Sequence, residues 1–432
     1  MSKVKKLYPH QEKALELTKG KNRVAYYLDM GLGKTLVGIE KMLEIGAKNN
    51  LIVCQKSMIK MWIEEVANQI DGREECIIYD LTKPKQYELF IHQSKHIESG
   101  VKLIGVINYD IVYRRKELFE LERFTLILDE SSMIQNDNTK RTKAIQRMDA
   151  GRVILLSGTP VAGAYEKLYS QVKLLGWNIS KTKFWDEFVK WVELPIGQIH
   201  IKKVTGYKNI PKLKSKLSEL GCIFMKTDEV FELPQQVITD IKVKNIPAYK
   251  TMLKDSLVTI NGDELLGNTP ITKMLRLRQL CGIYNEAKTK ALLDLLNSTE
   301  DRVIIFYNFT SELNHILEHI KPLDRPISIV NGESKDTTQF EYCRNGIALI
   351  QYQAGSRGLN LQMCNKIIYY TLPLSTELYE QSKKRTHRIG QSQTCFYYNL
   401  LVENSIELEI LERLKEKKDY TDSLFIQRYI KE

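Results

Sequence analysis

Long apolar runs are missing from this 432-residue sequence. No stretch approaches the roughly 18–20 residues that a membrane-spanning helix needs, so no membrane role is expected. Proline, at 11 residues, and glycine, at 23, are too scarce for a collagen-like or linker-rich chain. The 7 cysteines, at 54, 76, 222, 281, 343, 364 and 395, include no C-x-x-C pair. That spacing excludes a zinc ribbon or a thioredoxin-like motif, and an odd, scattered set fits a reducing compartment such as the cytoplasm. The first residues, MSKVKKLYPHQEK, are basic but lack the apolar core of a secretory signal. Acidic charge is the minority: 53 Asp and Glu face 64 Lys and Arg, a net charge of +11. Such a surplus permits nucleic acid as a partner without establishing it.

What is present is an ordinary globular balance, 43% hydrophobic and 27% charged. The length fits two domains of about 200 residues better than one. Runs rich in β-branched and aromatic residues occupy 23–28, 51–54, 103–108, 124–129 and 152–157, with helical patterns such as Lys34 to Ile45 between several of them. A second set occupies 302–308, 327–332, 347–352, 366–371 and 395–400. Strands alternating with helices predict a parallel sheet covered on both faces, so the chain reads as two α/β domains of similar plan. The stretches Tyr165 to Val230 and Pro247 to Leu296 read as mainly helical, the domain division falls near Leu233-Pro234, and Ser405 to Lys418 reads as a charged amphipathic helix packed on the second domain.

Three local patterns carry chemistry. The first is LDMGLGKT, Leu28 to Thr35, after a strand and before a helix. Gly31 and Gly33 let the backbone turn closely around phosphate oxygens, whose charge the loop and helix N–H groups face. Lys34 would reach the β- and γ-phosphates of a nucleotide, and the Thr35 hydroxyl would bind Mg²⁺. The strict phosphate-loop pattern has glycine where this chain has Leu28. The second pattern is LILDES, which ends an apolar strand on Asp129, suited to Mg²⁺, and Glu130, suited to polarising a water. The third is QSKKRTHRIGQ, Gln381 to Gln391, in which Arg385 and Arg388 lie three apart and would share a helical face. Guanidinium groups so placed can reach a γ-phosphate from another domain; a basic helix facing solvent or nucleic-acid phosphates is the alternative.

In order along the chain, LYPHQ (Leu7 to Gln11), DMGLGKT, LIVCQKSMIKMW, LDES, SGTP (Ser157 to Pro160), RVIIFYNF, AGSRGLNLQ (Ala354 to Gln362) and QSKKRTHRIGQ resemble the Swi/Snf-type branch of the superfamily-two helicase-like ATPases. The resemblance covers about 400 residues. It implies two RecA-like parallel-sheet domains in tandem with helical protrusions inserted: residues 1–235 with a protrusion at about 165–230, and 236–432 with one at about 247–296 and a RecA-like lobe from about 297. It implies ATP and Mg²⁺ as cofactors. Gln11 would read adenine; Met30, Gly31, Leu32, Gly33, Lys34 and Thr35 would hold the triphosphate; Asp129 and Glu130 would serve metal and water. Ser157 and Thr159 would couple nucleotide to nucleic acid. Gly358 and Asn360 would line the interdomain cleft, and Gln381, Arg385 and Arg388 would complete the site. The family's usual D-E-A-H or D-E-G-H reads Asp129-Glu130-Ser131-Ser132 here, which removes the histidine that can link the two sites. The chain is nearly all motor, a compact form resembling those of bacteria and bacterial viruses.

Nucleic-acid contacts are expected at two places. Lys56 and Ser57 follow a strand, at a family position that touches the DNA backbone. Between Leu194 and Ser218 there is no acidic residue but six lysines, Lys202, Lys203, Lys208, Lys212, Lys214 and Lys216, with Tyr207 among them. They form a candidate phosphate-tracking stripe or a solvated basic face. The four tryptophans, at 62, 177, 185 and 191, are expected to serve packing rather than base stacking. The whole implies an ATP-driven, monomeric translocase on double-stranded DNA. The alternatives are a strand-separating DNA or RNA helicase and a nucleic-acid-binding module whose ATPase has decayed.

Overall fold

All ten of the β-branched runs form strands. In a computed structural model describing residues 4–96, 100–158, 160, 164–196, 199–355, 361–388 and 390–425, the chain divides into two units between Val230 and Phe231. The first unit holds β1 (Arg23–Leu28), β2 (Asn49–Cys54), β3 (Cys76–Asp80), β4 (Lys102–Asn108), β5 (Thr125–Asp129), β6 (Arg152–Leu156), β7 (Val189–Ile196), β8 (Ile199–Tyr207) and β9 (Cys222–Met225). Seven of these build one sheet in the order β3-β4-β2-β5-β6-β1-β9. Every neighbouring pair is parallel. A parallel sheet needs crossover helices, which cover both faces. The central strands are accordingly buried along their length, with no in–out alternation.

Parallel strands put all their C-terminal ends on one edge. The segments after β1, β2, β5 and β6 therefore emerge together: the LDMGLGKT loop, Lys56-Ser57, Glu130-Ser131-Ser132, and Ser157. Ligands of open α/β sheets bind on this edge.

The second unit holds β10 (Gln236–Val243), β11 (Leu257–Ile260), β12 (Asp263–Leu266), β13 (Val303–Tyr307), β14 (Ile327–Val330), β15 (Ile347–Gln351), β16 (Lys366–Tyr369) and β17 (Cys395–Val402). Six form a second all-parallel sheet, β10-β17-β16-β13-β15-β14. Ile410, Leu411 and Leu414 of the last helix pack into the core on one face of it, with Tyr369, Tyr397 and Leu401.

The stretches expected to be mainly helical differ from that expectation. In 165–230, the helix Lys181–Phe188 gives way to a long antiparallel hairpin of β7 and β8, and β9 returns to the main sheet beside β1. The hairpin follows its own composition: V-K-W-V-E and H-I-K-K-V-T are rich in β-branched and aromatic residues. Phe184 and Phe188 are both buried on the helix that precedes it. In 247–296, β11 and β12 make a second hairpin between the helices Pro247–Asp255 and Pro270–Gly282. The turn Asn261-Gly262 between them, with both residues at positive φ, is the kind of pair that two-residue hairpin turns demand.

Candidate nucleotide site

The loop after β1 is held from beneath. Gly31 and Gly33 have φ of +88° and +74°, a left-handed conformation that side chains disfavour. A Cβ on Gly33 would fall 2.1 Å from Gln11 Nε2, so any other residue here would displace the Gln11 amide. Gln11 Nε2 donates to Leu32 O at 3.0 Å while its Oε1 accepts from Tyr8 N at 2.9 Å. Its neighbour His10 also meets Leu32 O, at 3.0 Å. The residue expected to read adenine thus spends one amide hydrogen on the loop itself and keeps one. From the other side Thr227, just past β9, donates to Asp29 Oδ2 at 3.1 Å. Leu28 is a buried strand residue paired with Met225. No turn is required there, which explains why the glycine of the strict pattern is dispensable.

Lys34 opens the helix Lys34–Ile45, and its Nζ lies 3.5 Å from Asp29 O. A Cβ on Gly158 would come within 3.4 Å of that nitrogen, so the lysine head sits beside the SGTP segment. Its charge also reaches Asp129, lowering that residue's proton affinity. The β1-β6-β5 order is the cause: the three adjacent strands carry the lysine loop, SGTP and Asp129-Glu130.

Asp129 is buried, and Trp62 Nε1 donates to its Oδ2 at 2.8 Å. Burial, and then the charge of Glu130, push its pKa up to about 6, against the lowering effect of the indole and of Lys34. Glu130 itself has φ of +53°, unusual for a non-glycine residue. That turn carries its carboxylate to Ser157, whose Oγ donates to Oε2 at 3.3 Å. Thr35 and Asp129 are hard oxygen donors of the type Mg²⁺ prefers. A buried carboxylate with raised proton affinity is one that a cation would relieve, so these residues fit the metal they were expected to hold.

Sequence reasoning missed three supports: Trp62, counted as packing, and Thr227 and Gln171, not singled out. The indole hydrogen bond spans 67 residues, and no local pattern signals it. Lys56 and Ser57 are exposed on a short 3-10 turn at the end of β2, on the same sheet edge.

In the second unit, Gln381 lies in the helix Thr376–Lys383, where its Nε2 donates to Glu377 at 3.2 Å. The helix stops at Lys383, which corrects the expectation that Arg385 and Arg388 share a helical face. Both lie in successive turns. His387 pulls the chain out of the helix by meeting Pro234 O at 2.7 Å and Gln236 at 2.9 Å, and Gln391 Nε2 donates to Gln362 O at 2.9 Å. Arg385 is buried and Arg388 half-buried. Thr159, Gly358 and Asn360 lie outside the described residues.

The lysine stripe is not uniform. Lys202 sits over the Trp191 ring at 3.7 Å, opposite Glu193 in the hairpin register. Lys212 pairs with Glu187, and Lys216 with Glu219 at 2.8 Å. Lys214 is half-buried, and burial lowers its pKa. Among the described residues no ion pair engages Lys203 or Lys208, both exposed.

The model of the SNF2-related domain matches residues 27–285, and that of the helicase conserved C-terminal domain matches 287–390. An uncharacterised ATP-dependent helicase of Mycoplasma pneumoniae is 24% identical over 92% of this chain and 40% of its own length. An uncharacterised ATP-dependent helicase of Bacillus subtilis is 24% identical over 95% of this chain and 78% of its own. A solved structure described as the Sulfolobus solfataricus SWI2/SNF2 ATPase core in complex with dsDNA is 21% identical over 98% of this chain and 92% of its own, with a TM-score of 0.46. The chain thus spans only about 40% of the Mycoplasma relative. With the SNF2-related model covering well over half of it, from the phosphate loop onward, this chain belongs to the SNF2-related family.

Proposed function

We propose that the protein hydrolyses ATP to ADP and phosphate and uses the cycle to translocate along double-stranded DNA. The observation that carries the reading is the convergence of Lys34, Asp129, Glu130 and Ser157 on the C-terminal edge of one parallel sheet. Backbone N–H groups of Met30 to Thr35 cradle the phosphates, and Lys34 neutralises charge that builds on them. Thr35 and Asp129 would hold Mg²⁺, which when bound screens the phosphate charge. Glu130, aimed by its left-handed backbone, orients the attacking water. Ser157 and Thr159 report nucleic acid to Glu130. Domains 1–235 and 236–432 close on the nucleotide, Gly358 and Asn360 line the closed cleft, and Gln381, Arg385 and Arg388 complete the site in the manner of an arginine finger. Lys56, Ser57 and the lysine stripe track the DNA backbone, and the motor works as a monomer.

The test is steady-state ATP hydrolysis at fixed salt with no nucleic acid, single-stranded DNA, duplex DNA or RNA, followed by triplex displacement. Stimulation by duplex with displacement of the third strand is expected, and Lys34→Ala should abolish turnover while keeping most DNA binding. Stimulation by single strands or RNA alone, with unwinding of a forked duplex, would replace this reading by a strand-separating helicase. Wild-type protein without hydrolysis under any condition would leave only a binding module.

A further inference from the structure

Gln171, in the short helix Tyr169–Leu174, is wholly buried, and three segments of the candidate site end on its amide. Its Oε1 accepts from Ser131 Oγ at 2.8 Å and from Tyr27 Oη at 3.0 Å. Its Nε2 donates to Pro160 O at 2.8 Å. Tyr27 lies in β1, one residue before its end and the phosphate loop. Ser131 directly follows Glu130, and Pro160 closes SGTP.

A side-chain amide satisfies this set. The two hydroxyls need an acceptor and the carbonyl needs a donor, and one amide of this length offers both ends. Ser131 supplies the hydroxyl at a place where D-E-A-H or D-E-G-H boxes have none. The contacts are short and shielded from water, so each is sensitive to displacement. Moving Pro160 by about an ångström must therefore break its bond or drag the amide, and with it Ser131 and the turn that aims Glu130. Ser157 Oγ touches Glu130 from the same segment, at 3.3 Å.

We propose that Gln171 is a positioning residue that couples the SGTP segment to Glu130 through Ser131, so that binding of duplex DNA accelerates hydrolysis through this amide. The inference rests on the ATPase reading above. The test compares basal and duplex-stimulated hydrolysis in wild type, Ser131→Ala, Gln171→Leu and the double variant, with thermal unfolding as a folding control. In both single variants the ratio of stimulated to basal rate should fall about tenfold, with the basal rate within about twofold of wild type. The double variant should fall no further than Gln171→Leu, because both act on one connection. An unchanged ratio in Ser131→Ala, or basal and stimulated rates falling in the same proportion, overturns the coupling role. Should Gln171→Leu fail to fold, Ser131→Ala decides alone. Wild-type protein that duplex does not stimulate overturns the functional reading as well, so the two failures are distinguishable.

Discussion

Asp129 carries its charge where the surroundings disfavour it. Its pKa is raised to about 6, first by burial and then by Glu130, whereas an unfolded aspartate titrates near about 3.9. Between those two values the folded protein binds the extra proton, so stability falls as pH rises through that window and stays low above it. Asp129→Asn removes this dependence while its side-chain oxygen still accepts the Trp62 indole hydrogen. Without nucleotide or divalent cation at pH 8, Asp129→Asn should be more stable than wild type by on the order of 2 kcal/mol, though inactive. Thermal unfolding of both proteins at pH 4.5, 6 and 8 checks it. A lower melting temperature for the variant at pH 8 would mean that burial is not the dominant cost. Asp129 and Glu130 were legible because an apolar run ends on them. Trp62, Thr227 and Gln171 were not, since each acts through a contact between segments far apart in sequence.

At the scale of elements, strands buried on both faces were the easiest to read, because a parallel sheet writes them as continuous apolar runs. β3 and β10 were missed. The C-I-I-Y-D of β3 is short, and β10 is largely exposed along a sheet edge, with no buried position. The hairpin β7–β8 was missed because the whole stretch 165–230 was read as mainly helical. Its placement changes what the lysine stripe should do. Lys212 and Lys216 already face carboxylates, while among the described residues no ion pair engages Lys203 or Lys208. Lys203→Glu with Lys208→Glu should reduce the slope of log Kd against log salt by about 2 for duplex DNA, roughly 0.9 per lost phosphate contact. Lys212→Gln with Lys216→Gln should change it by less than half as much. Equal slopes from the two pairs would remove the hairpin from the DNA path.

At the scale of the molecule, each unit has its own core and its own buried polar tie. In the second unit Lys288 Nζ meets Glu407 Oε1 at 2.5 Å, both side chains almost fully enclosed. The pair joins the helix Glu286–Asn297 to the helix that begins at Ile406. Lys288→Met leaves a buried carboxylate uncompensated and should cost about 3–5 kcal/mol, of which Lys288→Met with Glu407→Gln regains a large part. Urea unfolding of the three proteins decides it, and a loss below about 1 kcal/mol would contradict it. The proposed sharing of one nucleotide between two units makes a separate prediction. Arg388→Ala should bind ATP within about threefold of wild type yet lose at least about a hundredfold in turnover, read by nucleotide binding and steady-state hydrolysis. Retained turnover would remove Arg388 from the site.

The strand order of the first sheet also governs how the protein is born. β1, which carries the phosphate loop, lies between β6 and β9. It leaves the ribosome long before its outer neighbour, Cys222–Met225. At about 5–20 residues per second, the loop waits roughly 10–40 s for the strand that encloses it. The nascent chain therefore exposes Val24 to Leu28, wholly buried in the finished protein, for most of the synthesis of the first unit. That interval is when a chaperone has its opportunity, and when a stalled or truncated chain ending before residue 222 is prone to aggregate.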